Sequence, residues 1–269
     1  MSDSISRITN GEFFLIAGPC VVENREVCLR IAEHLVNLAR RFDLPYLFKA
    51  SYRKANRSSL SSFQGIGDEQ ALRILEEIKV TFDIPVTSDV HDEREVTMVA
   101  PVLDVIQIPA FLCRQTSLLL AAGASGKVVN VKKGQFMSGP SMRTAVEKVN
   151  STGNPKVWLT ERGNFYGYED LVVDFRNLVW MQEVGVPVIM DCTHSLQQPN
   201  QSSGVTGGRP QLISTISKAA VAVGVQGLFI ETHPEPAKAL SDGANMLPLD
   251  QMEKLLNQIV ALHQVTKNF

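Results

Sequence analysis

Cysteine is scarce in this sequence, and its few copies are scattered. The 269 residues contain four, namely Cys20, Cys28, Cys113 and Cys192. No two of them form a CxxC pair, so the usual signature of a zinc ribbon or a thioredoxin-like redox motif is missing. Four distant cysteines also do not make a disulfide framework. We therefore expect a reducing compartment, the cytoplasm.

The sequence also lacks a net charge of either sign and a long hydrophobic run. Lys and Arg total 26 against 28 for Asp and Glu, so no overall field draws the surface to nucleic acid or to an anionic membrane. No run reaches the ~18 apolar residues of a membrane span. The apolar stretch 11–22 is short and places Pro19 directly before Cys20, a poor context for leader cleavage. We expect no nucleic acid partner, no membrane contact and no export.

Short apolar runs rich in strand-forming residues recur along the whole sequence. Each is nearly continuously apolar rather than alternating, which is the pattern of strands buried on both faces of a parallel sheet. Eight such runs are present, at residues 13–17, 45–50, 84–90, 104–110, 127–132, 156–162, 186–191 and 226–231.

Amphipathic helical stripes separate several of these runs. Apolar residues step by three or four over 27–42, 72–82 and 249–262, as expected for helices that cover a sheet. Strands that begin 20 to 40 residues apart and alternate with helices predict an α/β fold, a (β/α)8 TIM barrel, whose usual size is about 250 residues. No break in composition divides the chain, so we expect a single domain over residues 1–269.

A doubly wound sheet is the alternative fold. No predicted strand is followed by GxGxxG or GxxxxGKS/T, so the nucleotide-binding versions of that fold lose support. The longest stretch without a predicted element is residues 192–211, directly after the seventh strand, and it is rich in Ser, Gly, Gln and Pro. Such a loop is either a functional lid or a surface excursion.

Cations collect where the predicted strands end, which is where a (β/α)8 barrel places its active site. Any one of these cations alone is explained as a solvent-exposed residue at the rim of the barrel. A cluster of them is not, because like charges repel one another unless a ligand compensates them. Phosphate suits Arg and Lys donors well. The pattern predicts a pocket for two phosphates, or for a phosphate and a carboxylate. The candidates are Lys49, Lys54, Arg57, Lys132 and Arg162, followed by Lys133 and Arg114.

A mixed set of soft and hard metal ligands also lies near strand ends. It comprises Cys20, His194, Glu231 and Asp242, and thiolate, imidazole and carboxylate together suit Zn²⁺, Fe²⁺ or Mn²⁺. Taken singly, Cys20 also fits a small buried side chain and His194 a structural histidine. His233 is a further ligand that spacing leaves open. The set predicts a divalent metal ion, and no motif calls for an organic cofactor.

Two other functions fit the same residues less well. A Schiff-base aldolase uses a barrel-strand lysine, and Lys49 or Lys132 would serve after losing a proton, helped by the neighbouring cations. A sugar-phosphate binding protein without catalysis needs the cations but not the metal set. No GxSxG elbow or HExxH helix is present, and no sequence motif pairs Cys113 or Cys192 with a general base.

Several longer motifs together resemble the 3-deoxy-D-manno-octulosonate 8-phosphate synthase family. The resemblance spans nearly the whole chain. KANRSS followed by PAFLCRQ is highly specific, whereas AGPC is shared with related phosphoenolpyruvate-condensing synthases. The motifs are LIAGPC (15–20), FKAS (48–51), KANRSS (54–59), SDVH (88–91), IQIPAFLCRQT (106–116), NVKKGQF (130–136), LTERG (159–163), DCTHSLQ (191–197) and GLFIETHP (227–234).

This resemblance implies a homotetrameric barrel that condenses phosphoenolpyruvate with D-arabinose 5-phosphate and releases inorganic phosphate, in the synthesis of the Kdo sugar of lipopolysaccharide. The heptulosonate 7-phosphate synthase relative, which uses erythrose 4-phosphate, is disfavoured by KANRSS.

The resemblance also implies roles for individual residues. Those for phosphoenolpyruvate are Lys49, Lys54, Gln107, Ala110, Lys132 and Arg162. Those for arabinose 5-phosphate are Asn56, Arg57 and Ser58, with Arg114 from a neighbouring subunit. The reactive-site lysines are Lys49 and Lys54. Strand position, rather than the resemblance, makes Asp89 and His91 the nearest candidates for a proton relay, and either one also fits a role in ordering a lysine or the metal ligands.

The family divides into metal-dependent and metal-independent forms, which carry cysteine or asparagine at the position of Cys20. The resemblance therefore implies the metal-dependent form, with Cys20, His194, Glu231 and Asp242 as ligands. Two residues depart from the family pattern. Arg53 stands where an acid is usual and is expected to add charge beside the sugar phosphate, and Ala244 replaces a proline and is expected to loosen the loop of Asp242.

Overall fold

Eight parallel strands form the inner layer of the protein. The computed structural model describes residues 3–56, 62–199 and 206–267. In that part of the chain the barrel strands are β1 (Phe14–Gly18), β2 (Tyr46–Lys49), β3 (Val86–Asp89), β4 (Val105–Ile108), β5 (Val128–Lys132), β6 (Val157–Glu161), β7 (Val188–Asp191) and β8 (Gly227–His233).

The sheet closes on itself. Each strand pairs in parallel with the next, and β8 pairs with β1, where Phe14 lies opposite Gly227. The predicted (β/α)8 barrel is therefore confirmed, and the doubly wound alternative is wrong, because an open sheet has two unpaired edge strands. Each of the eight strands overlaps its predicted apolar run.

Helices form the outer layer. The stripes predicted over 27–42, 72–82 and 249–262 coincide with three of them. At the start of the first, the Asn24 side chain accepts the backbone N–H of Val27, a regular N-cap. The helices of the described segments are α1 (Asp3–Thr9), α2 (Arg25–Arg41), α3 (Asp68–Phe82), α4 (Glu93–Val99), α5 (Thr116–Ala124), α6 (Arg143–Asn150), α7 (Arg176–Gln182), α8 (Ile213–Val223) and α9 (Met252–Thr266).

The barrel interior is apolar in one region and polar in another. Phe14, Trp158 and Phe229 form a buried cluster inside it, and α1 adds Ile5 and Ile8 to that cluster. The sequence reading missed α1, whose seven residues are too few for a clear periodicity. Polar side chains follow at the carboxyl ends of the strands, where helices no longer cover the sheet.

Short elements extend the carboxyl end. A β-hairpin follows β6 (Asn164–Tyr166 with Asp170–Val172), and Gln197–Gln198 pair with Gly207–Gly208. The second pair lies inside the predicted loop 192–211, which therefore has structure at both of its ends. Among the described residues no helix is both long and apolar enough to cross a membrane.

Candidate active site

A cavity of about 560 Å³ opens at the carboxyl ends of the strands. It lies where the barrel fold predicts an active site, and most of the predicted site residues line it. Those residues are Lys49, Lys54, Asn56, Asp89, Gln107, Ala110, Lys132, Arg162, His194 and Asp242.

The other predicted residues are placed differently. Cys20 and Glu231 are fully buried and contact residues of the cavity wall. His91 lies beside Asp89, and Arg114 is exposed. Arg57 and Ser58 lie outside the described residues.

Three cavity lysines are each paired with a carboxylate. Lys49 Nζ lies 3.0 Å from Glu231 Oε1, Lys54 Nζ 3.3 Å from Asp242 Oδ2, and Lys132 Nζ 2.6 Å from Asp191 Oδ2.

Arg162 differs from these lysines in its partners. Its Nη2 donates to His194 O at 2.8 Å and to Gln197 Oε1 at 3.0 Å. Its Nε is buried and has no hydrogen-bond acceptor among the described residues. No carboxylate of those residues forms an ion pair with it, and its burial lowers its pKa. A buried guanidinium with unused donors is well matched to a phosphate or carboxylate.

The lysines differ in proton affinity. Burial lowers the pKa of Lys132, and Asp191 offsets this only in part. Burial acts in the same direction on Lys49, but Glu231 and Asp89 outweigh it and raise the pKa of that lysine. A Schiff-base nucleophile must be a neutral amine. Of the two lysines considered for that chemistry, only Lys132 is therefore shifted in the required direction.

Three of the four predicted metal ligands come together. One donor atom from each of Cys20, Glu231 and Asp242 lies within 4.8 Å of the other two. Glu231 Oε2 is buried and unpartnered in the described structure, which leaves a lone pair for a cation. His194, the fourth, lies outside that group but places Nε2 3.4 Å from Glu231 Oε1.

The residues around this group fit a divalent ion. His194 Nδ1 lies 2.8 Å from Asp191 Oδ2, and metal-bound histidines usually donate their second ring nitrogen to a carboxylate in this way. Burial raises the pKa of the Cys20 thiol, and Glu231 adds to that increase. The thiol donates to Asp242 Oδ2 at 3.2 Å, and an incoming cation would replace its proton. Sulfur, oxygen and nitrogen donors together suit Zn²⁺, Fe²⁺ or Mn²⁺.

Sequence reading missed two residues that organise the cavity. Asp191 holds both Lys132 and His194, and its position at the end of β7 was the available signal. Ser51 lines the cavity and joins Lys49 to Asp89. Its position two residues after Lys49, at the end of β2, was the available signal.

The structure gives partners outside the cavity to the candidate cation Lys133 and to Arg53, the residue that departs from the family pattern. Lys133 is fully buried outside the cavity lining, and its Nζ lies 3.4 Å from Glu161 Oε1. Arg53 forms ion pairs with Asp68 and Glu95. The charge expected of Arg53 beside a sugar phosphate is therefore balanced by these two carboxylates.

The buried carboxylates predict how stability depends on pH. Burial opposes ionisation of Asp191, but His194 and Lys132 prevail and hold its pKa well below the usual value. A carboxyl group whose pKa is lower in the folded state stabilises the fold above its unfolded pKa of about 3.9, and this contribution is lost as the pH falls. We expect Asp191→Asn to be less stable than the parent at neutral pH and the difference to shrink below about pH 4. Urea unfolding of both proteins in the presence of chelator, repeated across this pH range, measures the difference in their free energies of unfolding. A difference that does not vary with pH would contradict this assignment.

Comparison with known proteins agrees with this geometry. A (β/α)8 barrel with a cation-lined cavity at its carboxyl end is an arrangement typical of enzymes that act on small anions. The chain belongs to the DAHP synthetase I family, whose family model matches residues 3–268.

Its relatives cover nearly its full length. A 2-dehydro-3-deoxyphosphooctonate aldolase of Syntrophotalea carbinolica is 52% identical over 253 residues, which are 94% of this chain and 91% of that protein. The 2-dehydro-3-deoxyphosphooctonate aldolase 2 of Arabidopsis thaliana is 50% identical over 260 residues, 95% of this chain and 89% of that protein. The Legionella pneumophila protein with the name 2-dehydro-3-deoxyphosphooctonate aldolase is 47% identical over 256 residues, 95% and 93% of the two chains.

Proposed function

We propose that this protein condenses phosphoenolpyruvate with D-arabinose 5-phosphate and water to give 3-deoxy-D-manno-octulosonate 8-phosphate and inorganic phosphate, a step of Kdo biosynthesis. The relatives named above carry the name of an aldolase for this product. The observation that carries the proposal is the cavity itself, where one guanidinium and three ammonium groups face a single space.

The cations support a site for phosphoenolpyruvate. Arg162 has one buried donor, Nε, without an acceptor among the described residues, and Lys132 lies in the same wall with a lowered pKa. We assign the phosphoenolpyruvate phosphate to these two residues. The remaining residues of this subsite are Lys49, Lys54, Gln107 and Ala110, all of which line the cavity.

The sugar phosphate would bind nearer the mouth of the cavity. Asn56 is exposed and lines it, and Arg57 and Ser58 follow it in the chain. We propose that Arg114 of a neighbouring subunit completes this subsite in a homotetramer. Its exposed position supports a role between subunits, and so does the half-exposed Phe111 nearby, which lines the cavity. Four buried free cysteines support the cytoplasm as the compartment.

The reaction requires two bonds to form and one to break. Carbon three of phosphoenolpyruvate attacks the aldehyde carbon, and the aldehyde oxygen takes up a proton. Water adds at carbon two and releases one proton, which balances the proton taken up by the aldehyde oxygen. The bond from carbon two to the phosphate oxygen then breaks, the hydroxyl at carbon two loses the second proton to the leaving phosphate, and a ketone remains. Asp89 lines the cavity and contacts His91, which supports the proposal that these two residues carry those protons.

We propose that Cys20, His194, Glu231 and Asp242 hold a divalent metal ion. When bound, such an ion supplies a Lewis acid that polarises the aldehyde or orients the water. The close approach of three of the ligands and the unpartnered Glu231 Oε2 support this assignment. Lys54 Nζ lies 3.0 Å from Cys20 Sγ, so the metal ligands and the phosphoenolpyruvate lysines adjoin one another.

The proposed function predicts a specific pair of substrates. Purified protein should release phosphate from phosphoenolpyruvate in the presence of arabinose 5-phosphate, and at least ~100-fold more slowly with erythrose 4-phosphate, because a sugar one carbon shorter does not place both its aldehyde and its phosphate in their sites. A phosphate-release assay with both sugars measures this.

Each alternative function predicts a different result. Release with erythrose 4-phosphate alone would indicate the heptulosonate synthase activity. Saturable binding of both substrates without phosphate release would indicate a binding protein. Borohydride added during turnover should leave no covalent adduct on Lys132, and an adduct there would indicate Schiff-base chemistry instead.

A further inference from the structure

One carboxylate next to the cavity gathers more donors than its place in a helix requires. Glu95 lies in the first turn of α4 and is buried. Its Oε2 accepts the backbone N–H of His91 at 2.7 Å and lies 3.0 Å from His91 Nδ1. The same oxygen accepts the Tyr52 hydroxyl, and Oε1 accepts from Arg53.

Glu95 and Asp89 hold the His91 ring between them. A histidine side chain has two nitrogens that form hydrogen bonds, and both are engaged here, Nδ1 with Glu95 and Nε2 with Asp89 Oδ2 at 3.1 Å. Because Glu95 also binds the His91 backbone, both the position and the plane of the ring are fixed.

Asp89 carries this arrangement to the cavity. Its Oδ2 contacts His91, and its Oδ1 accepts the hydroxyl of Ser51. Asp89 and Ser51 both line the cavity, whereas Glu95 does not. A chain of contacts therefore runs from buried Glu95 through the His91 ring to a carboxylate that lines the cavity.

We propose that Glu95 is a positioning residue for the reaction, which acts through His91 to fix the Asp89 carboxylate at the cavity wall. This inference rests on the proposed condensation. Glu95 touches neither substrate, and its effect is on where the reacting Asp89 oxygen lies. Displacement of a reacting group by about 1 Å costs on the order of 100-fold in rate.

Tyr52 and Arg53 hold Glu95 in turn. Burial raises the pKa of Tyr52, so its hydroxyl remains a donor. Arg53 also contacts Asp68 in α3, and it therefore links α3 to the Glu95 carboxylate of α4. Arg53 thus has a role in this chain as the counterion of a buried carboxylate.

The test compares Glu95→Gln with a control at the same helix end. Glu95→Gln keeps the size of the side chain but removes its charge, and we expect kcat to fall about 100-fold with little change in KM. Asp92→Ala removes the exposed N-cap that accepts the N–H groups of Arg94 and Glu95. It weakens the same helix without touching the His91 ring, and kcat should stay within about twofold of the parent. Equal losses in the two variants would show that α4 matters only as a support.

A double-mutant cycle shows whether Glu95 acts through His91. In a His91→Ala background, Glu95→Gln should cause no further loss of kcat, whereas losses that multiply would overturn the proposal. Tyr52→Phe removes one donor to Glu95. Tyr52→Phe should lower kcat by less than Glu95→Gln does, and this loss should also vanish in the His91→Ala background. If Glu95→Gln does not fold, Tyr52→Phe takes its place in the cycle.

A spectroscopic measurement separates this inference from the proposed function. The ring signal of His91 in a nuclear magnetic resonance spectrum is assigned by its loss in His91→Ala. It should move in Glu95→Gln and stay unchanged in Asp92→Ala, whether or not any substrate is turned over. A parent protein without phosphate release would refute the function alone, and an unmoved His91 signal in Glu95→Gln would refute the positioning role.

Discussion

Removal of divalent metal is expected to lower phosphate release from phosphoenolpyruvate and arabinose 5-phosphate by at least ~100-fold. Chelation followed by addition of Mn²⁺, Zn²⁺ or Fe²⁺ should restore it. The reason is the group of Cys20, Glu231 and Asp242, whose donor atoms lie within 4.8 Å of one another beside the lysines of the cavity. In the proposed mechanism the ion polarises the aldehyde or orients the water, and chelation would remove that Lewis acid from the cavity.

Two cysteine variants form a matched pair, in which Cys20→Ser is the test and Cys28→Ser is the control. Cys20→Ser should bind the metal more weakly and lose most of the activity, because a neutral hydroxyl replaces a thiolate ligand. Cys28→Ser changes an equally buried thiol in α2 and should keep its bound metal and its response to chelation. Metal content per chain is measured alongside activity. Full activity in metal-free parent protein would leave Cys20 as a packed thiol and remove the metal from the mechanism.

Two adjacent lysines are expected to give opposite phenotypes. Lys132→Met should reduce kcat/KM for phosphoenolpyruvate by about 1000-fold, because it removes a cation from the cavity wall. Asp191 loses its ammonium partner in that variant but still accepts from Thr193 and from His194, so we expect the protein to fold with a reduced free energy of unfolding and the larger effect to be on kcat/KM. Steady-state kinetics and urea unfolding of each variant measure the two effects.

Lys133→Met is the control at the next position. Lys133 Nζ donates to the backbone carbonyls of Gly134 and Met137 and pairs with buried Glu161. Its loss leaves Glu161 without its buried cation, which is expected to lower the free energy of unfolding by about 3–5 kcal/mol. Folded Lys133→Met should retain the KM of the parent for phosphoenolpyruvate. An unstable Lys132→Met together with a stable but inactive Lys133→Met would reverse these assignments.

The positions of the strands along the chain were predictable because local sequence determines them. A nearly continuous apolar run such as residues 127–132 is stable only where both faces of a strand are covered, and β5 occupies Val128–Lys132. The hairpin after β6 was not predictable in this way. Its exposed Tyr166 and half-exposed Phe165 give no periodic signal for a strand.

Site residues were predictable where a charge stands at a strand end. Lys49, Lys132 and Arg162 met that criterion and line the cavity. Lys133 met it too and lies elsewhere, because successive side chains of an extended chain point in opposite directions. Glu95 gave no signal, since an acid in the first turn of a helix is ordinarily explained by the helix dipole.

The sequence by itself therefore determined the alternation of buried strands and helices, the kinds of charged group at the strand ends and the motifs that mark the family. These follow from apolar periodicity and from residue order, which are properties of short segments. Closure of the sheet into a barrel, in contrast, is seen only in the structure. The tertiary structure alone decided which carboxylate pairs with which lysine, that Arg162 keeps unused donors, and that Glu95 reaches the cavity through His91. Those contacts join residues from different strands and helices, such as Lys49 and Glu231, and they exist only after closure of the barrel brings the ends of β1 and β8 together.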